Sequence, residues 1–114
     1  MILPAILLFA VAVVFGLSLV VLGVRYRRGS LALGLGHAGV AALALVLLVV
    51  QIFRGQTVLL YNDAALLFAL TLIGGLVLLA LREGRKPPPM VVVGIHGALG
   101  FVAFSLLVVG YMHV

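Results

Sequence analysis

The sequence contains no cysteine and only two acidic residues among 114. Without cysteine there can be no disulfide, thiolate metal site, iron–sulfur cluster or C-x-x-C-H attachment of a c-type haem. Charged residues make up 8% of the chain, against roughly 25% in ordinary soluble domains. Apolar residues reach 67%, against roughly 45–50%. So few polar side chains cannot cover the surface of a water-soluble globule of this size, and such hydrophobicity also excludes disorder. The net charge of +5 does not mark a nucleic-acid-binding face. The basic residues sit in short segments between apolar runs, where they act as topology signals. The expected surroundings are a lipid bilayer, with no nucleic-acid partner.

Four apolar stretches run from about Ile2 to Val24, Leu31 to Phe53, Val58 to Leu81 and Met90 to Met112. Each meets the roughly 20 residues that a helix needs to cross a bilayer core. Helix is the conformation that satisfies an isolated span's backbone in lipid, since four strands cannot close a barrel. The short connections force antiparallel neighbours. The expected fold is therefore all-α, a single integral membrane domain over 1–114 built as a four-helix up-down-up-down bundle. Arg25, Arg27 and Arg28 precede the second span and Arg82, Arg85 and Lys86 the fourth, whereas Arg54 is the one basic residue between the second and third. The positive-inside rule places the first and third loops in the cytoplasm and both termini outside, as expected for a multi-pass protein of a bacterial-type inner membrane.

The two halves read as a duplicated hairpin. A shift of 59 carries the second span onto the fourth, with His37 on His96 and Leu47-Leu48-Val49-Val50 on Leu106-Leu107-Val108-Val109. A shift of 57 aligns Arg25 with Arg82 and Leu19-Val20 with Leu76-Val77, and this is the expected register of the first span on the third. Repeats in the same orientation are related by an axis along the membrane normal.

Ionisable residues within a span are functional hypotheses by default. His37 and His96 each lie six residues beyond the first apolar residue of their spans (37−31 and 96−90). Both therefore lie about 9 Å below one end of the bundle, at one depth. On the second span Gly34, His37, Ala41, Ala44, Leu48 and Gln51 share a stripe, and on the fourth Val93, His96, Gly100, Ala103, Leu107 and Gly110 do so. Small residues on such stripes serve either close helix packing or space for a flat ligand.

Two opposed imidazoles are too few for a zinc or copper site, and no acid or thiol in that leaflet completes one. No Ser/His/acid set converges either, so no autonomous catalysis is expected. Haem iron needs only two axial ligands from the protein. The expected haem b site has His37 and His96 as iron ligands and Gly34, Ala41, Ala44, Gly100 and Ala103 beside the macrocycle. Arg28 and Arg85 are placed to meet its propionates. Each imidazole needs an acceptor for its second N–H, and with no carboxylate in the span a helix carbonyl is expected. The simpler alternative is interhelical hydrogen bonding, worth about 0.6 kcal/mol in membranes. His113, near the outer end, reads as a solvated interfacial side chain. Gln51, Arg54, Tyr61, Asn62, Asp63 and Tyr111 read as an ordinary interface with a tyrosine belt, the alternative being a quinone pocket or a docking face.

Four helices with histidines on the second and fourth, within Gly36-His37-Ala38-Gly39 and Ile95-His96-Gly97-Ala98-Leu99-Gly100, resemble membrane b-type cytochromes of the cytochrome b561 kind. The resemblance implies haem ligation by His37 and His96 and electron transfer with a membrane redox partner, complex or quinone. Those proteins usually hold two haems. The first and third spans here carry no histidine, so one bis-histidine haem is the most this chain can hold. A cofactor-free structural or accessory subunit of a larger membrane complex is the competing expectation. Small multidrug exporters also have four helices, but they depend on a glutamate in the first, and this first span has no acidic residue.

Overall fold

The computed structural model describes residues 2–26, 31–55, 58–81 and 89–113. Four helices follow one another: α1 Ile2–Arg25, α2 Leu31–Arg54, α3 Leu59–Leu81 and α4 Met90–Met112. All four are long and apolar enough to cross a bilayer. The chain is thus an all-α, multi-pass membrane protein, a four-helix bundle measuring 44 × 21 × 19 Å. Helix ends fall within a residue of the sequence reading. Arg25 and Arg54 extend α1 and α2 by one residue, the favourable place for a cation at a helix C-terminus.

The hairpin partners α1–α2 and α3–α4 pack most extensively, α2–α3 less, and α1–α4 least. The diagonals are α1–α3 and α2–α4, whose backbones stay apart and whose side chains meet across the interior. Phe9 of α1 stacks on Phe68 of α3, ring centres 3.7 Å apart and planes within 5°.

That stack corrects the register of the repeat. Phe9 and Phe68 are separated by 59 positions, as are Ala5 and Ala64, which are both fully buried. Gly16 and Gly75 have the same separation, and each faces the histidine of its own hairpin. The shift of 57 for the first span is therefore wrong. One shift of 59 carries both helices of the first hairpin onto the second. Leu/Val-rich text offers many accidental matches, and packing selects the register that puts like residues in like places.

Packing density is uneven along the bundle. In α1, α3 and α4 every buried residue lies in one half, at 2–12, 61–68 and 103–110. In α2 the same half holds Ala44 and Leu48, and Gly34 alone is buried towards the other end. Ala5, Ala44, Ala64 and Ala103 are each completely buried. Small residues allow close backbone approach where lipid offers no hydrophobic driving force for association. Leu48 and Leu107 are the largest completely buried side chains and fill this half. Replacing either by alanine should destabilise the bundle by about 2–5 kcal/mol. The same change at lipid-facing Leu43, 53% exposed, should stay within about 0.5 kcal/mol. Unfolding in mixed detergent measures both. Equal effects at Leu48 and Leu43 would contradict the assigned core.

Candidate functional site

The tightly packed half ends at a polar layer. His37 and His96 project from α2 and α4 across the diagonal, ring centres 6.1 Å apart and planes crossed at 80°. These are the side chains that the sequence stripes bring together. Gly34, Ala44 and Leu48 of the first stripe and Ala103, Leu107 and Gly110 of the second are buried, and the remaining members are half-buried.

The layer is completed by residues from α1 and α3 that sequence reasoning missed. A Cβ on Gly16 would lie 3.1 Å from Cε1 of His37, and one on Gly75 would lie 3.0 Å from Cε1 of His96. Each ring rests its N–Cε1–N edge against a glycine, where even a Cβ would be a tight contact. The signal was available in the 59-residue spacing of Gly16 and Gly75, but the 57-residue alignment hides it.

Nδ1 of His37 lies 2.7 Å from the carbonyl of Ala12 in α1. A carbonyl only accepts, so Nδ1 carries the proton and Nε2 keeps its lone pair. This is the expected helix-carbonyl acceptor, supplied by the neighbouring helix. His96 differs. Thr71 occupies the place of Ala12 in the repeat, and its carbonyl lies beside the ring. It is outside hydrogen-bond geometry, and among the described residues Nδ1 of His96 is buried with no partner. The Thr71 hydroxyl cannot help, because it donates to the Leu67 carbonyl at 2.7 Å. The two rings thus occupy matching places in the repeat and differ in how closely the neighbouring carbonyl approaches Nδ1.

The small residues on the stripes resolve mainly into close packing. A Cβ on Gly34 would lie 3.2 Å from Leu79, and one on Gly100 would lie 3.4 Å from Thr71. Those positions receive side chains of α3. Ala44 and Ala103 lie in the tight half, and Ala41 is half-buried. The depth agrees with expectation along the histidines' own helices, since His37 and His96 lie six residues inside Leu31 and Met90, about 9 Å from those ends. Along α1 the facing Gly16 is nine residues from Arg25 (25−16), about 14 Å from that end. Arg28 and Arg85 lie outside the described residues.

At the other end, Tyr61 is not part of an interfacial belt. It is 4% exposed, and a Cβ on Gly110 would lie 3.1 Å from its ring. The reason is the repeat: Tyr61 takes the core position of Ile2, 59 residues earlier, which is also buried. Tyr111, Asn62, Asp63, Arg54 and His113 are exposed and Gln51 is half-buried. His113 caps α4 through its backbone N–H to the Val109 carbonyl. Val14, Leu17, Ser18, Val21 and Leu22 form a shallow, open apolar surface along α1.

No group of three or more metal-binding side chains occurs among the described residues, which leaves the imidazole pair as the candidate site. Comparison with protein-family models, curated proteins and solved structures finds no significant match.

Proposed function

We propose that this chain is a membrane b-type cytochrome holding one haem b between His37 and His96 and passing single electrons to or from a membrane partner, a redox complex or the quinone pool. The observation that carries the reading is the pair of imidazoles facing across the diagonal with ring centres 6.1 Å apart. Two imidazoles on one metal, at roughly 2 Å per metal–nitrogen bond, bring their ring centres to a similar separation. The proton on Nδ1 of His37 supports the same reading. Metal-ligating histidines almost always donate their second N–H, which fixes the tautomer and leaves the other nitrogen free to ligate.

Bound haem supplies a one-electron couple, and the chain's residues set its surroundings. His37 and His96 would hold the haem iron. Their N–Cε1–N edges rest on Gly16 and Gly75, so ligation requires both rings to turn towards the bundle axis. Arg28 and Arg85 are the candidates for its propionates, by charge-assisted bonds.

Visible and electron paramagnetic resonance spectra of protein purified from haem-replete cells test this reading. A low-spin haem b, one per chain, is the expected result. A high-spin spectrum, or rapid carbon monoxide binding to the reduced wild-type protein, would refute bis-histidine ligation. The proposed location is a bacterial-type inner membrane with both termini outside. A cysteine at Ser30 should then be labelled from the cytoplasmic side and one at Gln56 from the outer side. The reverse pattern inverts the topology.

The hydrogen bond from His37 to the Ala12 carbonyl favours a second reading, in which the histidine ties α2 to α1 in a cofactor-free accessory subunit of a larger complex. A colourless purified protein that co-purifies with other membrane subunits would select it.

A further inference from the structure

The outward face of α1 carries a feature that the repeat does not copy. Ala5, Phe9, Ala12 and Gly16 follow a 4-3-4 spacing on the side of α1 that faces the interior. Val14, Ser18, Val21 and Arg25 follow the same spacing two residues later, about 200° round the helix, and all four are exposed. With Leu17 and Leu22 beside them, the first three form a shallow, open apolar surface. Ser18 has the smallest side chain of the set, and its hydroxyl donates to the Val14 carbonyl at 3.0 Å, so its donor is turned back onto the helix. Arg25 stands at the helix end, seven residues and about 10 Å beyond Ser18. Its guanidinium lies 5.9 Å from the centre of the Tyr26 ring. Asp63 is the one acidic residue among those described, and it belongs to the first turns of α3, at the opposite end of the bundle. In the 59-residue repeat Ser18 becomes Val77 and Arg25 becomes Gly84, so the second hairpin has neither the small residue nor the cation.

We infer that this face of α1 binds one anionic phospholipid, its phosphate on Arg25 and an acyl chain along Val14, Ser18 and Val21. A guanidinium meets a phosphate through charge-assisted, bidentate hydrogen bonds, and interfacial cations attract anionic headgroups. Beneath the cation, a flexible hydrocarbon chain follows a shallow apolar surface that a rigid partner leaves partly unfilled, and unfilled space forfeits dispersion contacts. A cation at the helix end with an apolar surface below it matches the order of parts in a lipid standing in its leaflet. No histidine takes part, so the site stands whether or not the chain holds haem.

Native mass spectrometry of the full chain in detergent, offered phosphatidylglycerol and phosphatidylcholine with identical acyl chains, tests the site. The wild type should retain one phosphatidylglycerol per chain in preference to phosphatidylcholine. Arg25→Gln should lower that preference about fivefold, the worth of one interfacial cation. Ser18→Leu should lower retention of both lipids, because the leucine occupies the acyl seat. Position 18 is exposed, so the substitution leaves the fold intact, and circular dichroism checks that it does. Arg54→Gln removes an exposed cation from the other end of the bundle and should leave the preference unchanged. Equal effects of Arg25→Gln and Arg54→Gln, or wild-type retention by Ser18→Leu, would overturn the inference. So would a complex of twice the chain's mass that Ser18→Leu dissolves, which would give the face to a second copy of the chain.

Discussion

Replacing both His37 and His96 by alanine should abolish haem uptake while all four helices still insert. The porphyrin brings four equatorial nitrogens, and the described residues offer no other strong axial donor at that layer: Ala12, Gly16, Thr71 and Gly75 supply only backbone, a methyl group and a committed hydroxyl. Insertion is governed by hydropathy over a span of roughly 20 residues, and α2 and α4 have mean hydropathies of 2.4 and 2.3 over their most apolar windows. Removing one imidazole from each makes those helices more apolar. The lost bond to Ala12 is worth about 0.6 kcal/mol in a membrane, too little to unfold the bundle. Haem content by absorbance, read beside helical content by circular dichroism, separates the two effects. His113→Ala is the control; its side chain is exposed beyond α4, and its spectrum should match the wild type. A double variant that still carries low-spin haem would place the ligands elsewhere.

The second large effect is expected at two residues that carry no chemistry of their own. Gly16→Leu should displace the His37 ring and Gly75→Leu the His96 ring, because a Cβ alone already lies at 3.1 and 3.0 Å from Cε1. A leucine adds three further carbons in the same direction, and a packed core does not yield that much volume without repacking, which costs about 1–3 kcal/mol. Haem affinity should fall about 10–100-fold, as when the support of a ligating side chain is lost. Gly16→Ala and Gly75→Ala are milder, since a ring shifted by a few tenths of an ångström relieves the contact. Gly39→Leu is the control, because nothing lies within 4 Å of a Cβ placed there. Haem titration of the apoprotein measures all of them. If Gly16→Leu and Gly39→Leu bind alike, the two glycines have no positioning role.

The spans, their order and the histidine layer were legible from sequence because they rest on strong, local signals. A run of 23 or 24 apolar residues reads as a helix without reference to anything else, and two histidines in otherwise apolar text identify themselves. What escaped was relational. The partners of His37 and His96 lie on other helices, and their identities (a glycine, a carbonyl) are invisible to a search for reactive side chains. The 57-residue register of the first span drew on loop arginines and common aliphatics. The run Ala5-x-Leu7-Leu8-Phe9-Ala10 against Ala64-x-Leu66-Leu67-Phe68-Ala69 carries the true one. Tyr61 was misplaced for a related reason. Amphipathic tyrosine near a helix end suggests the interface, but in this bundle the repeat hands it the buried site of Ile2.

Helix length has a consequence for the membrane itself. Helices of 23–24 residues are about 35 Å long, and the bundle measures 44 Å end to end, whereas a typical hydrocarbon core is about 30 Å thick. The surplus must be absorbed by tilting the helices, by thickening the surrounding lipid or by letting Arg25 and Arg54 reach out to the headgroups, each at a fraction of a kcal/mol per ångström of mismatch. Thick bilayers relieve that mismatch and thin ones aggravate it. Helix tilt should therefore vary with acyl-chain length, and the half with few buried residues offers the least packing to oppose it.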